Sequence, residues 1–259
     1  MKSYLKHWFL LAVMAVPFVV SAKKDKKERA FYEVTVYHFA TEVQSGIIEG
    51  YLEKDLLPAL HKQGLTAGVF KPISNDTTAD KTLYVIVSHK SWKAVLDDQK
   101  KLAADTTMAY TPYTDAVYTA APFLRKEMIL AEAFPLAPML TLPKLTASKN
   151  DRVYEYRSYE SATEKIHRNK VHMFNEGGEV TLFDRLNFNA IFYAAVIAGS
   201  RMPNLIYMTS FENMNDRNEH WKTFGADSEW KRISSLPEYQ HNVSKSDIIL
   251  MKALPFSDY

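Results

Sequence analysis

Cysteine is absent from all 259 residues. That excludes disulfide staples, thiolate metal sites and an acylated lipoprotein N-terminus, so stability must come from a packed core. Glycine is also scarce, with eight residues. None is arranged as a Gly-rich phosphate loop or a Gly-x-Ser-x-Gly nucleophile elbow, which removes two large enzyme classes. No charge of one sign prevails, with 32 basic against 30 acidic residues. The longest apolar run, Trp8 to Val20, has thirteen residues, fewer than the roughly 20 a membrane-crossing helix needs.

That run has a place of its own. Lys2 and Lys6 precede it, Pro17 interrupts it, and Val20-Ser21-Ala22 follows with small residues. The order is that of a secretory signal over residues 1–22, cut after Ala22, leaving an exported protein, periplasmic or secreted, with no membrane span. Cleavage removes two lysines and no acid, leaving 30 basic and 30 acidic residues. A neutral chain without a basic stripe is not built to displace counterions from nucleic acid. The local run Lys23 to Arg29 reads as a solvated leader.

The rest of the chain says the same thing twice. "YEVTVY" places Tyr32, Glu33 and Tyr37 at an offset of 122 from Tyr154, Glu155 and Tyr159 in "VYEYRSY". The offset carries forward to pair Val69-Phe70 with Ile191-Phe192, Leu83 with Leu205, Ala104-Asp105 with Ala226-Asp227, and Met108 with Trp230. A constant register over such a length is a duplication. Each copy reads as strand, helix, strand, strand, helix, strand. In the first copy, strands are expected over 31–39, 66–73, 82–89 and 125–133, and helices around Ile47 to Leu60 and Trp92 to Leu102. In the second, strands fall near 153–159, 189–198, 205–211 and 247–253, and helices near 163–176 and 214–224. Gly177-Gly178 should break the first of these, with a second helical piece from Val180. The organisation is residues 23–133, a Pro-containing linker over 134–150, and residues 151–259.

This is an α+β chain of two tandem ferredoxin-like (βαββαβ) repeats, each with helices on one face of its sheet only. Packing the repeats sheet to sheet covers both bare faces and makes a fused pseudo-dimer. Strand alternation divides the first strand of each repeat into two sets. Tyr32, Val34 and Val36, with Tyr154 and Tyr156, are the more apolar set and are expected beneath the helices. Glu33, Thr35 and Tyr37, with Glu155, Arg157 and Tyr159, are then expected between the sheets. Two readings of that polar set stand side by side. Glu155 and Arg157 form a structural ion pair, or they line a pocket in which Arg157 holds a carboxylate or other anion, with Tyr159 and Tyr37 as donors.

"VYEYRSY", followed by "NLIYMTSFENMNDRNEHWKTFGADSEW" over 204–230, resembles the NIPSNAP family. The positions that carry the resemblance are Glu155, Arg157, Tyr159, Arg217, Trp221, Phe224, Asp227 and Trp230. The first copy keeps Glu33 and Tyr37 but has Thr35, Gln99 and Met108 where the second has Arg157, Trp221 and Trp230. The resemblance implies a dimeric α+β barrel, here pseudo-dimeric, whose wider relatives include small monooxygenases, isomerases and haem-handling proteins. It implies no settled reaction.

No complete catalytic constellation is legible. His172 with Glu176, or Asp216 with His220, have one-turn spacing but too few members for a metal site. A haem would need an axial ligand, and His172 is the candidate position. Arg217 stands four residues before Trp221 and is placed to stack on it. Ser228 to Tyr239 reads as a short helix sealing the barrel end. The expected function is a non-catalytic module that binds a small anionic or aromatic ligand or a protein, without a cofactor, and that has the surface to form a homo-oligomer. The expected ligand residues are Glu155, Arg157, Tyr159, Glu33, Tyr37, His172, Arg217 and Trp221. The competing expectation is a cofactor-free oxygenase, an isomerase or a haem-handling enzyme, with Arg157 stabilising an oxyanion and Glu155 moving a proton.

Overall fold

The computed structural model describes residues 28–259, so the expected signal segment lies outside the described residues. The first repeat runs β1 (Phe31–Phe39), α1 (Glu42–Tyr51), a π-helical turn (Leu52–Leu56), α2 (Leu57–Lys62), β2 (Ala67–Pro72), β3 (Lys81–His89), α3 (Trp92–Ala104), a single turn α4 (Thr111–Thr114) and β4 (Arg125–Ala133). The second runs β5 (Val153–Glu160), α5 (Glu164–Phe174), α6 (Glu179–Arg185), β6 (Ala190–Ala198), β7 (Asn204–Phe211), α7 (Met214–Ala226), α8 (Ser228–Ser235) and β8 (Lys245–Ala253).

The duplication extends to the signals that start the helices. Thr41, Ser91, Thr163 and Asn213 sit in extended backbone, and their side-chain oxygens accept from the amides of Gln44, Ala94, Ile166 and Asp216. Each satisfies an orphan donor of the first turn. Thr41 answers Thr163 and Ser91 answers Asn213 at the same 122-residue offset. The helix α5 stops at Phe174, and Gly178, with φ +97, takes the left-handed conformation that launches α6, a break at the glycine pair.

Hydrogen-bonded strands follow the order β1-β3-β2-β8-β5-β7-β6-β4 and close on themselves. Each repeat supplies four neighbours, and all pairings are antiparallel. Two seams join the repeats, β2 with β8 and β4 with β6. Closure leaves no open sheet edge. The linker lies along the second seam, where the Phe134 amide donates to the Tyr193 carbonyl and the Thr141 amide to that of Ile191.

The alternation of each strand is as expected, but the two faces are exchanged. Tyr32, Val34, Val36, Tyr154 and Tyr156 fill the barrel interior together with Phe70, Tyr84, Phe192 and Met208. Contacts cross between repeats there, Tyr32 on Phe192 and Tyr84 on Tyr156. The polar set lies on the outer face, beneath the helices. The reason is the relative cost of burying charge. In the interior an acid would face mainly apolar rings, whereas under the helices Glu155 meets Arg157, Arg217 and Trp221, and Glu33 meets Gln99. A cleft between the sheets does exist at one barrel mouth, about 370 Å³, around His38, Asp80, Glu127, Arg201 and Asp247. It contains none of the expected ligand residues. The helix from Ser228 does not seal the barrel end either; Ile233 packs on Met173 and Tyr239 over the helices of the second repeat. Among the described residues no helix is long and apolar enough to cross a membrane.

Candidate functional site

In the second repeat the expected residues do assemble, and they satisfy one another. Glu155 is fully buried. It accepts from Arg157 Nε at 2.6 Å, from Arg217 Nε at 2.7 Å and Nη2 at 3.1 Å, and from Trp221 Nε1 at 2.8 Å. Arg157 Nη1 donates to the Tyr159 hydroxyl at 2.8 Å, and that oxygen lies 3.0 Å from the Tyr207 hydroxyl. The Arg157 guanidinium also stacks on Trp221, 3.7 Å from the ring centroid. Arg217 sits farther from that ring, at 5.9 Å, and acts mainly on Glu155. Burial opposes the charge on Arg157, but Tyr207, Tyr159 and Glu155 outweigh it and hold its pKa above the ordinary value. The arginine expected to hold an anion is therefore occupied by Glu155, and the acid expected to move a proton is clamped from both sides.

His172 does not join this group. It is exposed on α5 and pairs through Nδ1 with the Tyr239 hydroxyl at 2.9 Å. A haem ligand at that position would face no part of the cluster. Among the described residues no group of three or more His, Asp or Glu side chains is placed to hold a metal ion.

The first repeat carries the same strand positions with different partners. Arg157 becomes Thr35, Trp221 becomes Gln99, Trp230 becomes Met108, and Val95 stands where Arg217 would be. A cavity of about 240 Å³ lies here between the outer face of the sheet and the helices, while the second repeat has a hollow of about 290 Å³ walled by Arg157, Tyr159, Trp221 and Trp230. Glu33 and Tyr37 line the first-repeat cavity, with Tyr51 and Leu60 from the helical side and Met128 from β4. Gln99 Nε2 bridges both oxygens of Glu33, at 2.8 and 2.7 Å.

Beside Glu33 stands a residue that strand parity locates. His89 is two positions past Val87, the register partner of Glu33, so both side chains leave the same face of the sheet. His89 Nδ1 lies 3.0 Å from Asp98 Oδ2. Its Nε2 is buried without a hydrogen-bond partner, 3.7 Å from Glu33 Oε2. Burial lowers the pKa of His89, yet Glu33 and Asp98 raise it by more, and the net shift is upward. Asp98 is correspondingly lowered: burial raises it, but Lys101 and His89 prevail. The only signal the sequence carries for His89 is this parity, and it becomes readable only once the β1–β3 register is known.

An eight-stranded barrel built from two βαββαβ halves, each with its own polar cluster under helices, defines the dimeric α+β barrel class, here with both halves on one chain. A candidate monooxygenase from Lactobacillus acidophilus NCFM has this architecture, with TM-score 0.58 and 12% identity over 87% of this chain and 94% of its own. An anthrone oxidase-like protein aligns with TM-score 0.55 and 9% identity over 88% of this chain and 93% of its own. At such identities the likeness is one of fold.

Within that class, residues 154–258, nearly the whole of the second repeat, match the NIPSNAP family model. A NIPSNAP family protein from Agrobacterium tumefaciens str. C58 aligns at 19% identity over 45% of this chain and 97% of its own, with TM-score 0.37. No curated protein matches the chain. The Glu155, Arg157, Tyr159, Arg217 and Trp221 cluster falls entirely inside the matched segment, whereas the open cavity lies outside it.

Proposed function

We propose that the protein is an exported, non-catalytic small-ligand-binding module whose site is the cavity beneath the helices of the first repeat. One observation carries this reading. In the first repeat the buried Glu33 carboxylate lines about 240 Å³ of mostly apolar space, whereas the second-repeat hollow of about 290 Å³ has Arg157, Tyr159, Trp221 and Trp230 on its wall and not Glu155, which Arg157, Arg217 and Trp221 cap. Such a volume, below the usual ligand-pocket range of about 300–1,000 Å³, suits a single-ring molecule. Export rests on the segment Met1 to Ala22, and mass spectrometry of the purified protein would find Lys23 at its N-terminus.

Refilling the cavity tests the binding reading. Met108→Trp restores the residue of the second repeat. In saturation-transfer NMR with a library of single-ring compounds, ligands of the wild type should lose their signal in this variant. Ligands unaffected by Met108→Trp would bind elsewhere and would overturn the assignment.

A catalytic reading of the same cavity rests on the His89–Asp98 pair beside Glu33, with the unbonded His89 Nε2 3.7 Å from the Glu33 carboxylate. On that reading, a bound molecule with an acidic C–H exchanges it with D2O in a Glu33-dependent way. Binding without exchange leaves the first reading in place.

A further inference from the structure

The two repeats differ in how much positive charge they supply to the same carboxylate. Glu155 is met by two guanidinium groups, from Arg157 on its own strand and Arg217 on α7. At Glu33 the equivalent positions are Thr35 and Val95, so both cations are gone. Their replacements are the neutral amide nitrogen of Gln99, the Thr35 hydroxyl at 3.5 Å, and the His89 imidazole, which bonds Asp98, lies 3.7 Å from Glu33 and when protonated brings one positive charge where Glu155 has two. Lys126 lines the mouth of the cavity, but it is exposed and extends over the Tyr37 ring, 5.9 Å from the centroid. Lys101 is bound to Asp98 rather than to Glu33. Glu33 is only 6% exposed, and a carboxylate has acceptor capacity for about four hydrogen bonds.

We infer that the first-repeat cavity takes a small organic cation, an amidinium, guanidinium or amine carried on an apolar body, which supplies to Glu33 the charge that Arg157 supplies to Glu155. The second repeat displays the complex within its own chain: a planar cation donates to the carboxylate through one edge while an aromatic ring covers its face. In the first repeat Tyr37 and Tyr51 line the space around the missing group and offer aromatic faces to a cation. The apolar walls from Leu60 and Met128 accommodate the body. A charge-assisted pair at a site shielded from water is worth more than the same pair on the surface.

This inference rests on the cavity being a ligand site, and three near-isosteric probes separate the two claims. Benzamidine, benzamide and benzoate share a ring and a planar head and differ in charge. Each is titrated against the full-length mature protein by thermal shift and by saturation-transfer NMR. Benzamidine should bind, and Glu33→Gln should weaken it at least about tenfold, the loss of one charge-assisted hydrogen bond. Thr35→Arg, which restores the internal cation, should abolish binding while keeping the protein folded, and so guards against a Glu33→Gln variant that merely unfolds. If benzamide or benzoate binds as well as benzamidine, the cation preference is overturned and the cavity stands. If benzamidine binds equally to Glu33→Gln, it sits elsewhere and the inference fails. If none of the three binds, the cavity is not a site for molecules of this size and both claims fall.

Discussion

Arg157 sits over Trp221, its guanidinium carbon 3.7 Å from the ring centroid, while its Nε donates to Glu155 at 2.6 Å. Cation, ring and acid form one closed unit within the second repeat. At the equivalent positions of the first repeat, Thr35 and Gln99 are too short to close it. Duplication thus left one carboxylate complemented from within its own repeat and the other lining a cavity.

The closed unit should be structural, which its energetics will show. Glu155→Gln leaves Arg157 and Arg217 without their shared counter-charge in a largely buried setting, and the expected cost is about 3 kcal/mol. Glu33→Gln has no guanidinium to strand and should cost about 1 kcal/mol or less. Urea unfolding followed by tryptophan fluorescence measures both; equal costs would contradict the difference drawn between the repeats.

The His89–Asp98 pair should impose a pH dependence on stability. His89 is raised in the folded protein, so its contribution is complete below its unfolded pKa of about 6.5 and is lost as pH rises through the higher folded value. Asp98 is lowered, so its contribution is present above its unfolded value and is lost as pH falls through the folded one. Both are in place between those limits. Unfolding free energy measured from about pH 5 to pH 9 should fall on the alkaline side in the wild type. The fall should be smaller in His89→Gln; an unchanged slope would remove His89 from the balance.

Gly68 is fixed by a close approach. A Cβ there would lie 2.5 Å from ring carbons of both Phe70 and Tyr259. Tyr259 is buried against the end of the barrel core and donates its hydroxyl to the Ile86 carbonyl. Gly68→Ala must displace these rings, at a cost of about 2 kcal/mol. Trimming the opposing ring in Tyr259→Ala should reduce the further effect of Gly68→Ala, a coupling that a double-mutant cycle detects.

Much of the architecture was legible because it depends on local patterns. The 122-residue offset, the helical spacing of Ile48, Leu52 and Leu60, and the Gly177-Gly178 break all reappear as elements. Residues Glu155, Arg157, Tyr159, Arg217 and Trp221 come together, but on the outer face of the sheet and apart from Glu33 and Tyr37. His172 does not join them, because helical position alone does not say which way a polar side chain faces. The open cavity was missed because it is defined by side chains that are short, and Thr35, Gln99 and Met108 drew notice only as departures from the better-matched copy.

By itself the sequence determined that each first strand has one apolar and one polar set, since alternation along an extended chain is a property of the backbone. It also determined that two such units must cover each other's sheets. Which set faces inward was decided only by closure of the barrel through the β2–β8 and β4–β6 seams. An apolar interior is a worse place for charge than a layer where strand and helix side chains supply partners, so Tyr32 and Tyr154 went in while Glu33 and Glu155 lie under the helices.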